Sequence, residues 1–232
     1  MKRNENLKIK ILKNGPYEVT KNIPLNQAII KTNAEGESKD WQEGKTYQAQ
    51  EEDYHLCRCG QSKTKPYCDG THEDIGFKGK ETADKEPYED GAKHYRGKKM
   101  DLLDNESLCA GARFCDPEGG VWVLATRSED PAHEKLAIRE ACNCPAGRLT
   151  IVEKDGTKIE PELPQEISLI QDVFNNYRGP IWVKGGIEIE GADGESYEVR
   201  NRVTLCRCGE SQNMPFCDAS HYNCTHMMGT DS

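Results

Sequence analysis

Residues 57–72 read CRCGQSKTKPYCDGTH, and residues 206–221 read CRCGESQNMPFCDASH. Nine of the sixteen positions are identical without a gap, and a leucine, Leu56 or Leu205, precedes each copy. In extended chain the side chains alternate with period two, so Cys57 and Cys59 point to one side, as do Cys206 and Cys208. Cys68 and His72, like Cys217 and His221, stand at i and i+4, a spacing that a helix brings to one face. Pro66 and Pro215 precede these pairs where a helix start tolerates proline. Asp69 and Asp218 then fall in a first turn, at the positive helix end. Each copy therefore presents three sulfurs and one imidazole as two pairs. Two centres fit that set. One is a single tetrahedral Zn²⁺ held by Cys₃His; the other is a [2Fe–2S] rhomb, which needs two ligands on each iron.

The repeat extends upstream. Gly15-Pro16-Tyr17-Glu18-Val19 echoes Gly179-Pro180-Ile181-Trp182-Val183. Ile9 and Ile11 alternate with lysines, Ile187 and Ile189 alternate before the Ala192-Asp193-Gly194 turn, and Tyr197 to Leu205 continues as strand. The polar tract Thr32–Gln50 reads as a loop that the second copy lacks. The chain divides into a first module (1–80), a charged linker (81–96), an insert (97–170), a second module (171–224) and a tail (225–232). Within the insert, Gly120–Thr126 reads as a strand. Asp130-Pro131 opens a helix with an apolar face of Leu136, Ala137 and Ala141, ended by Pro145. Arg148–Glu153 and Thr157–Glu160 form a hairpin about Asp155-Gly156, a type I′ signal. The expected class is α+β: two small β-rich modules around an inserted α+β domain.

Composition limits the function. Leu, Ile, Val and Phe supply only 39 of 232 residues, the net charge is -9 and the mean hydropathy is -0.85. That apolar fraction predicts a poor core, and metal–thiolate bonds are the natural supplement for a chain with eleven cysteines. No apolar run approaches the roughly 20 residues of a membrane helix, and the polar N-terminus has no signal-peptide core. A cytoplasmic, reducing setting follows, with thiols as ligands rather than disulfides. Scattered Lys and Arg in an acidic chain exclude a nucleic-acid partner. There is no Gly-rich phosphate loop, nucleophile elbow or paired-carboxylate motif, so a carrier is expected rather than an enzyme.

The duplicated element resembles the CDGSH iron–sulfur motif of mitoNEET-like proteins. Cys57, Cys59, Ser62, Pro66 and Cys68-Asp69-Gly70-Thr71-His72 match it throughout. Cys206, Cys208, Ser211, Pro215 and Cys217-Asp218-Ala219-Ser220-His221 match with Ala219 for glycine, a mild change if that residue is helical. The resemblance implies two [2Fe–2S] clusters. Cys57 and Cys59 would hold the inner iron of the first, and Cys68 and His72 the outer. Cys206, Cys208, Cys217 and His221 would do the same in the second. A module of about 50–60 residues buries too little surface alone. Relatives answer by forming homodimers, so here the two modules are expected to pair within one monomeric chain.

The insert is similar to single-cluster bacterial-type ferredoxins. Cys109, Cys115 and the distant Cys144-Pro145 match, and Ala112 occupies the middle ligand position. Three cysteines imply a [3Fe–4S] cluster, or a [4Fe–4S] cluster with a substitute ligand such as Cys142. The alternative is a domain that has lost its cluster and keeps its cysteines as small buried hydrophobes.

A ligating histidine raises a cluster's potential and adds an acid-labile bond. The function implied is electron transfer or cluster transfer to a redox or cluster-accepting protein. A redox or pH sensor that acts by cluster loss, and a zinc-stabilised interaction module, are the alternatives. His55 reads as exposed or as a neighbour of the first cysteines. His94, His133, His226 and Cys224 read as surface residues, and Arg58, Lys63, Lys65 and Arg207 as a charged face. Trp41, Trp122 and Trp182 read as core anchors.

Overall fold

The computed structural model describes residues 7–48 and 52–231. Before the first motif run β1 (Lys8–Ile11), β2 (Tyr17–Val19), β3 (Leu25–Thr32), β4 (Ser38–Tyr47) and β5 (Tyr54–Leu56), and the short helix α1 (Thr71–Asp74) follows the motif. The insert holds β6 (Lys93–Arg96), β7 (Met100–Asp104), α2 (Val121–Thr126), α3 (Pro131–Asn143), β8 (Leu149–Glu153) and β9 (Lys158–Ile159). The second module holds β10 (Ile167–Asp172), β11 (Tyr177–Lys184), β12 (Glu188–Glu190) and β13 (Arg202–Leu205).

The two copies trade strands. One sheet has the order β12-β1-β2-β5 and the other β13-β11-β10-β3-β4. Tyr17 opposes Leu56 as Ile181 opposes Leu205, and Ile9 opposes Val19 as Ile167 opposes Val183. The exchange obeys the same pseudo-two-fold: β12 joins β1 in parallel (Ile9 with Ile189), and β3 joins β10 in parallel (Ile167 with Leu25). Each sheet thus needs the other module's strand. Ile9, Tyr17, Leu25, Leu56, Ile167 and Ile181 share one buried cluster drawn from both copies. Interlocking is how two apolar-poor modules obtain a core that neither supplies alone.

The insert forms a third sheet, β6-β7-β8-β9, with α2 and α3 packed on it around Leu102, Leu124, Ala141 and Ile151. Residues 121–126 are helical, not extended. Val121, Leu124 and Ala125 are buried while Val123 is exposed, the i, i+3, i+4 pattern of one helix face. Helix α3 starts as expected, Asp130 accepting from the Ala132 N–H at 2.8 Å. The hairpin between β8 and β9 exists, but only Gly156 of its turn has positive φ (91°), so it is not type I′.

Two further expectations change. The polar tract after Thr32 is largely the edge strand β4, anchored by Trp41 on Phe114 and Trp182 (centroids 4.7 and 4.8 Å). The linker ends in β6, and its earlier part is docked on the second module, Thr82 and Ala83 donating to the Met214 carbonyl. The tail is held to the second module, Asp231 pairing with Arg178 and Arg207. No helix among the described residues is long and apolar enough to cross a membrane.

Candidate metal centres

Each motif folds back on the strand before it. Cys57 N–H donates to the Pro66 carbonyl and Cys68 N–H to that of His55, both at 2.9 Å; Cys206 to Pro215 (2.8 Å) and Cys217 to Thr204 (2.9 Å) repeat the pattern. These bonds set the Cys-x-Cys segment beside the Cys-x₃-His segment. The identical residues between the ligands hold the loop. Ser62 and Ser211 donate to the carbonyls of Tyr67 (2.6 Å) and Phe216 (2.7 Å). Asp69 accepts from the N–H groups of Lys63 and Thr71, and Asp218 from those of Gln212 and Ser220. The Lys63 and Thr71 bonds hold the Asp69 carboxyl below its ordinary range.

The ligand pairs come together by turns, not on a helix face. Cys68 precedes α1, and Gly70 between it and His72 is left-handed (φ 87°). Ala219 takes the same conformation (φ 69°) ahead of a 3₁₀ turn, so the substitution carries left-handed strain instead of being helix-neutral. Pro66 and Pro215 follow cis peptide bonds rather than starting helices.

The separations test whether these residues fit a metal. With bonds of about 2.3 Å to sulfur and 2.0 Å to nitrogen, two ligands of one tetrahedral metal lie about 3.8 Å (S, S) or 3.5 Å (S, N) apart. Cys57 Sγ and Cys59 Sγ are 3.7 Å apart, and Cys68 Sγ and His72 Nδ1 3.3 Å. Cys206 and Cys208 are 3.5 Å apart, and so are Cys217 Sγ and His221 Nδ1. Each tetrad is thus two bites of single-metal size. Among the described residues no three His, Cys, Asp or Glu side chains converge as one ion would require. The Cys59 thiol and the backbone N–H groups of Ser62 and Gly60 pull Cys57 down to about 6. The Cys208 thiol, with those of Ser211 and Gly209, pulls Cys206 down to about 7. The first thiol of each pair is thereby biased toward the thiolate. Burial, joined by the Arg207 guanidinium, pushes His221 down to about 4, which keeps it neutral as a ligand must be. Its Nε2 is buried without a partner.

In the insert, Cys109, Cys115 and Cys144 line one small cavity together with Ala112, Arg113 and Arg148. Cys109 follows a 3₁₀ turn, and Cys144 caps α3. Cys142 is not on the cavity wall; its carbonyl accepts from Arg202 at 2.9 Å. The structure brings three of the four candidate cysteines together and leaves the fourth apart.

The model of the iron-binding zinc finger of CDGSH type matches residues 14–73 and 178–222. The model of the divergent 4Fe-4S mono-cluster matches residues 95–154. This is an iron–sulfur protein with two CDGSH-type regions. Its two CDGSH regions flank the divergent mono-cluster domain, as the two resemblances imply. No curated protein and no solved structure matches the chain.

The two CDGSH halves are unequal. In the first, Cys68 is half-buried and the His72 side chain keeps 15% exposure. In the second, all four candidate ligands are buried. Cys224 and His226, read as surface residues, cover the second site. Cys224 is buried against Cys206, Cys208 and Met227, and His226 Nε2 lies 2.9 Å from the Cys208 carbonyl. The arginines between the paired cysteines are also buried, not part of a charged face. Arg58 binds the carbonyls of Gly15 and Leu12, and Arg207 those of Gly179 and Ile170. Position in the chain signalled none of this. His55 is exposed, 3.9 Å from Glu18.

Proposed function

We propose that each CDGSH tetrad holds one [2Fe–2S] cluster and that the protein is an electron carrier serving a redox protein partner. Cys57/Cys59 and Cys206/Cys208 bind one iron of each cluster, and Cys68/His72 and Cys217/His221 the other. The single observation that carries this reading is the division of both tetrads into two bites of metal–ligand size. When bound, such a cluster supplies a reversible one-electron change. The chain's own part is to bias the first thiol of each pair toward the thiolate, to keep His221 neutral, and to exclude water from the second site. Cys109, Cys115 and Cys144 form the third centre, with no fourth thiol on its wall. The partly exposed Cys68 and His72 favour a second use of the first site, handing its cluster to an acceptor. Assigning nine of the eleven cysteines as metal ligands suits a reducing compartment such as the cytoplasm.

Iron and acid-labile sulfide counts on anaerobically purified protein test the reading. Four irons with four sulfides in the two tetrads are expected, and seven or eight irons with the insert filled. A colourless protein with one zinc per tetrad would overturn it.

A further inference from the structure

The residue after each histidine differs between the halves: Glu73 in the first, Tyr222 in the second. Glu73 is 82% exposed. Tyr222 is partly buried. Its ring lies on His221, centroids 4.3 Å apart and planes 35° from parallel. Its hydroxyl stands 2.6 Å from Asp172 Oδ2 and 3.0 Å from the Gly111 carbonyl, and accepts from Arg113 Nη1 at 2.8 Å. Gly111 is left-handed, and a Cβ there would come within 2.6 Å of the tyrosine ring. Gly111 and Arg113 belong to the wall that Cys109 and Cys115 share. One side chain therefore spans from the wall of the insert's cavity to the histidine of the second CDGSH site.

The two CDGSH sites abut each other elsewhere. A Cβ on Gly60 would lie 2.6 Å from the Cys208 carbonyl, and one on Gly209 2.7 Å from that of Cys59. The contacts set an order: first CDGSH site, second CDGSH site, insert.

We propose that the protein relays single electrons along this line, with the second CDGSH site as the junction and Tyr222 as the positioning residue that holds the insert's loop against His221. The proposal rests on the reading that all three sites are filled. In each transfer one centre is oxidised by one electron and its neighbour reduced by one; an external one-electron donor protein supplies the electron. The exposed edge of the first site is the end open to a partner.

The test uses the full chain, purified anaerobically, with iron and sulfide counted first. Empty sites would remove the underlying reading, and this inference with it. On filled protein, pulsed reduction followed by visible absorption reads how fast electrons redistribute. Tyr222→Leu is expected to slow exchange with the insert about tenfold or more, as loss of fixed positioning does, while exchange between the CDGSH sites is unchanged. Tyr222→Phe, which keeps the ring on His221 and against Gly111 but loses the hydroxyl's bonds to the Gly111 carbonyl and Arg113, should slow exchange with the insert less than leucine does. In protein carrying His72→Cys, which marks the first site spectrally, and with Tyr222 intact, reducing the insert's centre should broaden the paramagnetic signal of the second CDGSH site and not that of the first. A fully loaded Tyr222→Leu protein that exchanges at the unmodified rate would overturn the proposal. So would an unbroadened second-site signal, which decides the matter if the leucine variant loses iron.

Discussion

Asp231→Asn isolates a buried charge pair that only one half of the duplication possesses. The Asp231 carboxylate receives Arg207 at 2.7 Å and Arg178 at 2.9 Å, and Gln171 donates to it at 2.8 Å. The Asp231 and Arg207 side chains are 4% and 5% exposed. Burial opposes ionisation of Asp231, but the Arg207 guanidinium outweighs it and holds the carboxyl below its ordinary range. Removing one partner of a buried pair costs about 3–5 kcal/mol, because the remaining charge is stranded. The structure argues for the low end. Arg207 keeps the carbonyls of Gly179 and Ile170, and its counterpart Arg58, 1% exposed, folds with no carboxylate hydrogen-bonded to it among the described residues. Asparagine also preserves shape and one acceptor oxygen. The expected loss is therefore about 3 kcal/mol at pH 7, read from urea melts of the metal-loaded protein with an unchanged denaturant slope. A loss below about 1 kcal/mol, the worth of an exposed pair, would refute the reasoning. The stranded Arg207 charge beside His221 should also raise the reduction potential of the second site, since added positive charge favours the reduced state.

Two other perturbations have definite signs. Glu140 on α3 has both carboxylate oxygens buried without partners, and burial pushes it up to about 7 from 4.5. A carboxyl raised on folding favours the native state at low pH, and that advantage is lost as pH rises from about 4.5 through 7. At about 1.36 kcal/mol per pH unit, Glu140→Gln should stabilise the protein by about 3 kcal/mol at pH 8 and hardly at all near pH 4.5. Denaturation at several pH values checks this; a pH-independent difference would contradict it. Ala219→Gly should stabilise by about 1 kcal/mol, because glycine takes the left-handed conformation without the Cβ penalty. Thermal melts would detect it, and a destabilised variant would count against the strain.

Both tetrads were legible in the sequence because ligation demands particular side chains at particular spacings, and a gapless repeat displays the demand twice. Helix α3 was legible for a similar reason: Asp130 and Pro131 are start signals with a local mechanism. The failures share a different cause. Val121–Thr126 is too short an apolar run for its period to be read, and packing of Val121, Leu124 and Ala125 decides it. The tract Ser38–Tyr47 becomes a strand because β3 offers it an edge, a partner no local pattern announces. Arg58 and Arg207 look like surface charge until the carbonyls that bind them are in place. Strand exchange was wholly hidden, since Leu25 and Ile189 suit either sheet equally.

The exchange also explains why the halves can differ. A homodimer of one CDGSH module repeats every residue on both sides of its two-fold, so a change that buries one site buries both. Within a single chain the same interlocked core persists while the residues around each site vary independently. Glu73 stands where Tyr222 stands, and among the described residues no counterpart of Asp231 binds Arg58. The insert enters after the first copy and packs its cavity wall against the second. Holding the insert on one side requires two non-equivalent histidine environments, and covalent duplication is the arrangement that permits them without giving up the shared β-strands.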